Sequence, residues 1–214
     1  MDSKTNLMDL VRKNKVFAVI RANDSHKAME CAEACIEGGL KLIEITLSFP
    51  GAEQVISRLS GGKGVIVGVG TVLTVDMARI AFNSGARFIV SPHTDVEIID
   101  YSKSNNLVVV SGALTSNEIV RAWNLGVDMV KIFPVKAVGG PSYVKAIKEP
   151  LPFIQIMTTG GVTLENFKQF LSAGATAVGL SSALMGSDGS FNPQITYQNA
   201  RVVVEKLIQS ESAD

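Results

Sequence analysis

"LKLIEITLSFP" (Leu40–Pro50) is a run of apolar residues without the polar alternation of a half-exposed strand. It reads as a strand covered on both faces, which is the condition of a parallel sheet flanked by helices. Glu44 nevertheless stands in its middle. A second run, "VDMVKIFP" (Val127–Pro134), repeats the anomaly with Lys131. Six more β-rich runs share the character of these two: "VFAVIR" (16–21), "VIVGVG" (65–70), "RFIVS" (87–91), "LVVVSG" (107–112), "FIQIMT" (153–158) and "AVGLS" (177–181).

Amphipathic stretches with helix punctuation lie between them. "DSHKAMECAEACIEGG" opens on an Asp or Ser cap and closes on a glycine pair. "TVDMARIAFNSGA", "TSNEIVRAWNLGV" and "TLENFKQFLSAGA" open on Thr and end near Gly, and "TSNE" and "TLEN" approach the capping-box pattern. Eight strand–helix units at a spacing of roughly 20–25 residues favour an α/β (β/α)8 (TIM) barrel over the doubly wound open sheet that uses the same alternation. The expected organisation is one domain over residues 1–214, with an extra helix at 3–14 covering the bottom of the barrel.

Side chains on a barrel strand alternate between the helix layer and the interior. Glu44 shares a face with Leu42 and Thr46, and Lys131 with Met129 and Phe133. A charge against an apolar helix layer is costly, so both are expected to face the interior near the C-terminal rim, where active sites of this architecture lie. Arg21 and Thr71, after the first and third runs, add polar groups at that level. A buried Glu–Lys pair without chemistry is the bland alternative, and such pairs contribute little net stability. A desolvated lysine amine can attack a carbonyl to form a Schiff base, with a nearby carboxyl shuttling protons. An ionised Glu44 close by would oppose this by favouring the ammonium, unless burial protonates it or Arg21 offsets it.

"TTGGV" (158–162) and "GLSSAL" (179–184) follow the last two strands, where barrels of this kind often bind phosphate. Gly160 and Gly161 would let the backbone approach an anion, and Ser181 or Ser182 could donate a hydroxyl. "GVGTVL" (68–73) is not a dinucleotide fingerprint, and its glycines are expected to give room inside the barrel. His93, in "SPHTD", reads as a rim turn residue and His26 as a surface residue.

Zero formal net charge argues against a nucleic-acid partner. With 46% hydrophobic residues the chain is not disordered in character. Cys31 and Cys35, four apart, read as two small apolar residues on one helix face. No metal site is expected, since only two histidines could join them. The N-terminus lacks a signal-peptide core and no run suits a membrane span, so a cytoplasmic location is expected.

With these residues assembled, the chain resembles the class I 2-keto-3-deoxy-6-phosphogluconate (KDPG) / 4-hydroxy-2-oxoglutarate (KHG) aldolase family from about Val16 to about Gly186. The resemblance is carried by "AVIRA", "GGLKLIEITL", "VGVGTVL", "FIVSPH", "VKIFP", "VGGPSYVKAI", "TTGGV" and "GLSSAL". It implies a (β/α)8 barrel, a homotrimer, and no metal or organic cofactor. It implies that Lys131 forms the Schiff base and that Glu44 is the general acid/base. It further implies that Thr71 holds the pyruvoyl part, that Phe133 and Pro92 line the pocket, and that Thr159, Gly160, Gly161 and Ser182 form the phosphate-end loop. The chain departs from the family at Ser48, where many members carry an arginine for the substrate carboxylate, and Arg21 is the remaining cation for an anionic group. The expected activity is reversible cleavage of a 2-keto-4-hydroxy acid to pyruvate and either glyceraldehyde 3-phosphate or glyoxylate. The alternatives are a phosphosugar isomerase or epimerase using Glu44 as base, and a non-catalytic phospho-ligand binder.

Overall fold

All eight expected strands form and close on one another in chain order, each parallel to its neighbours. The computed structural model describes residues 4–62, 64–186 and 191–211. In chain order the elements are α1 (Lys4–Asn14), β1 (Val16–Ile20), α2 (Ser25–Glu37), β2 (Leu42–Thr46), α3 (Ala52–Ser60), β3 (Ile66–Gly70), α4 (Val75–Asn83) and β4 (Phe88–Val90). They continue with α5 (Val96–Ser104), β5 (Val108–Ala113), α6 (Ser116–Asn124), β6 (Met129–Ile132), α7 (Pro141–Lys148), β7 (Ile156–Thr158), α8 (Phe167–Ser172), β8 (Ala177–Leu180), α9 (Ser182–Met185) and α10 (Pro193–Glu211). The arrangement is a (β/α)8 barrel.

Local chemistry fixes where the helices start. Asp24, Thr74 and Asp95 accept backbone N–H groups at the starts of α2, α4 and α5. "TSNE" forms a full capping box, with the Thr115 hydroxyl and the Glu118 carboxylate each accepting from the other's backbone. "TLEN" closes a related reciprocal pair, in which the Asn166 side chain accepts from Thr163 N–H and Thr163 Oγ1 accepts from Asn166 N–H.

Two apolar bodies result. The larger lies between the strands and the helix ring, and it holds Cys31 and Cys35, both buried and unoxidised. The smaller fills the bore with Phe17, Val19, Leu42, Phe88, Val108, Val110, Met129 and Met157. Leu7, Met8 and Val11 of α1 belong to this inner body, so the extra helix is a stopper seated in the N-terminal end of the barrel. That helix was expected from residue 3; it is described from Lys4, and Ser3 lies outside the described residues. Outside the ring, α10 packs along α2, where a Cβ on Gly38 would overlap Ala200.

The strand register stacks the bore into layers of four, each supplied by alternate strands. Leu42, Phe88, Met129 and Ala177 form the lowest of the layers traced here, followed by Phe17, Gly68, Val110 and Met157. Glu44, Val90, Lys131 and Gly179 come next. Above them stand Val19, Gly70, Gly112 and Thr159, and at the rim Thr46, Pro92, Phe133 and Ser181. The two layers from Glu44 upward contain three glycines, which leaves a well over the charged pair.

Candidate active site

Glu44 and Lys131 share one layer on β2 and β6, four strands apart in a ring of eight, and therefore face each other across the bore. Glu44 is fully buried and Lys131 is 7% exposed. The carboxylate oxygens of Glu44 have no hydrogen-bond partner, and no ion pair joins the two residues among the described ones. Lys131 Nζ lies 5.2 Å from the centre of the Phe133 ring, close enough for a cation–π contact.

Gly70 explains why the carboxylate fits. A Cβ there would overlap the Glu44 carboxyl group, so the bore accepts an acid at this level only where β3 contributes no side chain. The room expected from "GVGTVL" is thus real, and Gly70 faces Glu44 directly. Burial pushes the Glu44 carboxyl above its ordinary value, and the nearby charges of Lys131 and Arg21 pull part of the way back. The net direction favours a neutral carboxyl.

This direction has a consequence for stability. With the folded-state value raised above 4.5, the contribution of Glu44 to stability is fully present below pH 4.5 and declines as pH rises through the folded value. Glu44→Gln removes that decline. Its thermal midpoint is expected to exceed that of the wild-type chain at pH 8 and to converge with it at pH 4. Each 1 kcal/mol corresponds to about 2–4 °C at this chain length. Thermal unfolding at the two pH values checks this, and a gap that persists at pH 4 would contradict it.

Arg21 emerges from β1 and donates from Nη2 to Thr71 Oγ1 at 3.1 Å. Thr71 has φ of 59°, a left-handed conformation that turns the chain immediately after β3. Ser48 is turned onto the barrel, with its Oγ 2.7 Å from Thr46 Oγ1, which itself donates to Ile20 O. Thr46 thus links Ser48 to the main chain of Ile20, the residue before Arg21.

The structure groups the remaining sequence-derived residues in three places. Pro92 and Phe133 line a cavity of about 300 Å³ together with His93, Thr94 and Arg121, and His93 Nδ1 lies 3.0 Å from Ser91 Oγ. Ser181 and Ser182 line a second cavity, of about 330 Å³, with Arg21. Thr159, Gly160 and Gly161 line neither cavity. Gly160 and Gly161 have φ of 81° and 102°, and side chains there would press on Phe133–Pro134 and on Lys136. Their lack of side chains is thus required by the loop after β6. Thr159 Oγ1 is buried without a partner.

Asn23 and Lys27 also line the second cavity and were missed in the sequence. They sit at the entry to α2, where they resemble an ordinary solvated helix start. Their clue was that "RANDSHK" follows the first strand, which closure of the barrel sets beside the eighth. Gly112 and Gly179 were missed as space-makers for a similar reason.

A closed parallel barrel with a lysine and a carboxyl facing each other across its bore defines the chain as a (β/α)8-barrel enzyme. The family model described as KDPG and KHG aldolase matches residues 7–195. The chain is 34% identical over 175 residues to the 2-dehydro-3-deoxy-6-phosphogalactonate aldolase of Escherichia coli (strain K12), covering 80% of this chain and 85% of that protein. It superposes on a native KDPGal structure with a TM-score of 0.83 at 31% identity, covering 91% of this chain and 96% of the other. It also superposes on the KDPG aldolase of Legionella pneumophila, solved with pyruvate captured at low pH as a covalent carbinolamine intermediate. That match has a TM-score of 0.79 at 25% identity and covers 94% of this chain and 96% of that one. The chain belongs to the KDPG and KHG aldolase family.

Proposed function

We propose that the chain is a class I aldolase that reversibly cleaves a 2-keto-3-deoxy-6-phospho sugar acid, or 4-hydroxy-2-oxoglutarate, with Lys131 as the Schiff-base lysine and Glu44 as the proton carrier. The observation that carries this reading is the placement of Lys131 and an unpartnered, fully buried Glu44 in one layer of the barrel bore. Family membership and the carbinolamine seen in the Legionella relative support it.

The chemistry follows from the geometry. The Lys131 amine adds to the C2 carbonyl, and the carbinolamine loses water to give an iminium, with Glu44 supplying the proton that the departing hydroxyl needs. Glu44, now ionised, accepts the proton of the C4 hydroxyl. The C3–C4 bond breaks, its electron pair flows to the iminium nitrogen, and the aldehyde departs. The resulting enamine takes a proton at C3, and water then releases pyruvate from Lys131. Thr71 and Arg21 hold the carboxylate end, with Arg21 serving in place of the arginine that Ser48 replaces. Pro92 and Phe133 wall the pocket, and Thr159, Gly160, Gly161, Ser181 and Ser182 face the phosphate end. The family resemblance also supports a homotrimer, and two free buried cysteines suit a cytoplasmic setting. Among the described residues no helix is long and apolar enough to cross a membrane.

Incubation with pyruvate and borohydride tests the reading. The expected result is loss of activity and a reduced pyruvate adduct on the Lys131 peptide by mass spectrometry. Activity that survives this treatment, with no adduct, would instead favour an isomerase using Glu44 without covalent chemistry.

A further inference from the structure

We propose that His93 recognises the oxygen carried by C5 of the substrate, donating a hydrogen bond from Nε2 on the β4–β6 side of the barrel mouth. The proposal rests on the aldolase reading of the same barrel and specifies which aldehyde halves the chain accepts.

The cavity that His93 lines adjoins Lys131. Its wall includes Pro92 and Phe133 of the rim layer, and Gly112 of the layer between the rim and the Glu44–Lys131 pair. Gly112 is the register partner of Lys131, and the Phe133 ring centre lies 5.2 Å from Lys131 Nζ. A substrate bonded to Nζ therefore passes this wall as its far carbons rise towards the rim. Gly112 also lets the His93 segment draw in, because a Cβ there would overlap the Pro92 carbonyl group and His93 N.

His93 is exposed, yet two buried hydroxyls hold it, those of Ser91 and Ser111, each 1% exposed. Ser111 Oγ donates to the His93 carbonyl at 3.1 Å, and Gly112 N–H joins it at 3.3 Å. Thr94 Oγ1 ties the next residue to Gly112 O at 3.0 Å. Ser91 Oγ accepts His93 N–H at 3.3 Å and lies 3.0 Å from His93 Nδ1. Among the described residues Nδ1 is the one acceptor for the Ser91 hydroxyl proton, and leaving that buried proton unpaired is costly. Ser91 therefore donates to Nδ1, and the neutral ring carries its own proton on Nε2. Main-chain bonds suffice for a turn. The Ser91 contact adds a fixed ring, with Nε2–H left as a donor for the cavity. The Glu118 carboxylate in the same wall is occupied, accepting from Leu114 N–H, Thr115 N–H and Thr115 Oγ1. Lys131 and Glu44 deal with the oxygens at C2 and C4, so the next oxygen outward is the one on C5. A hydroxyl or carboxylate oxygen there accepts from Nε2–H, and a bare methylene does not.

The test runs the reaction towards addition at saturating pyruvate, where C5 of the product is C2 of the aldehyde. The readout is the ratio of kcat/KM for glyceraldehyde 3-phosphate over that for 3-phosphooxypropanal, the same aldehyde without its hydroxyl. His93→Phe keeps a flat ring and is expected to lower that ratio about 3- to 10-fold, the loss of one neutral hydrogen bond. His93→Gln returns an amide N–H at similar reach and is expected to restore most of it. Both aldehydes are compared on one preparation, so a partly misfolded variant lowers both rates and leaves the ratio as it was. An unchanged ratio in His93→Phe, or a glutamine variant no better than phenylalanine, overturns the assignment. Trapping with pyruvate and borohydride tells the two possible failures apart. A wild-type chain that is not trapped fails as an aldolase and takes the assignment with it. A trapped wild-type chain whose ratio is unaltered in His93→Phe refutes the role of His93 alone.

Discussion

Lys131→Met is expected to lower turnover of the 6-phosphorylated 2-keto acid by at least about 10⁴-fold and to eliminate the pyruvate–borohydride adduct. Methionine keeps an unbranched chain of similar length in a site that is only 7% exposed, so the layer formed with Glu44, Val90 and Gly179 remains filled. It removes the one atom able to bond covalently to C2. Without the iminium, the electron pair of the breaking C3–C4 bond has only a neutral ketone to enter, and no other lysine lies on the inward face of the layers. Fold and substrate binding survive the change, which makes the loss a statement about chemistry. Steady-state kinetics and adduct mapping on one preparation check it. Turnover near the wild-type rate would sink the Schiff-base mechanism.

Glu44→Gln is expected to reduce turnover by about 10²- to 10⁴-fold, the range of a positioned general acid/base. The amide has the shape of the carboxyl and fits beside Gly70, yet it cannot carry a proton between the carbinolamine hydroxyl, the C4 hydroxyl and C3. The two variants differ in kind. Pyruvate is still expected to be trapped on Lys131 in Glu44→Gln, more slowly, because amine addition needs no carboxyl even though dehydration is helped by one. A variant with normal turnover would remove Glu44 from the mechanism. A variant that turned over slowly but trapped pyruvate at the full rate would confine Glu44 to the cleavage half of the reaction.

The strands were legible because each is covered on both faces, so "VFAVI", "LIEIT" and "MVKI" are apolar without alternation whatever their helices do. Glu44 and Lys131 were legible for the opposite reason, since a charge inside such a run contradicts its surroundings. Their shared layer was not legible, because it depends on how the barrel's stagger accumulates across β3, β4 and β5. Lys27 was hidden by the same closure. It lies at one end of the repeat while Ser181 lies at the other, and its charge on a helix start contradicts nothing locally. The glycines divide in the same manner. Gly68 and Gly70 announced themselves in "GVGTVL", whereas Gly112 and Gly179 are single glycines whose neighbours, Pro92 and Thr159, come from other strands. The loop glycines Gly160 and Gly161 have a further reason to lack side chains that local reading did not supply. They suggested an approaching anion, and the side chains that would crowd them belong to the segment after β6.

The stopper formed by Leu7, Met8 and Val11 gives the proposed reaction an order in time. A barrel closed below has one doorway, and reactants, products and water share it. The aldehyde half of the substrate lies nearest that doorway, above the carbons bound to Lys131. It must therefore step out before a water molecule can reach the imine beneath it, so pyruvate leaves last and, in the reverse direction, enters first. Sequence is thereby imposed on a bond-breaking cycle by three apolar side chains at the far end of the barrel from the chemistry.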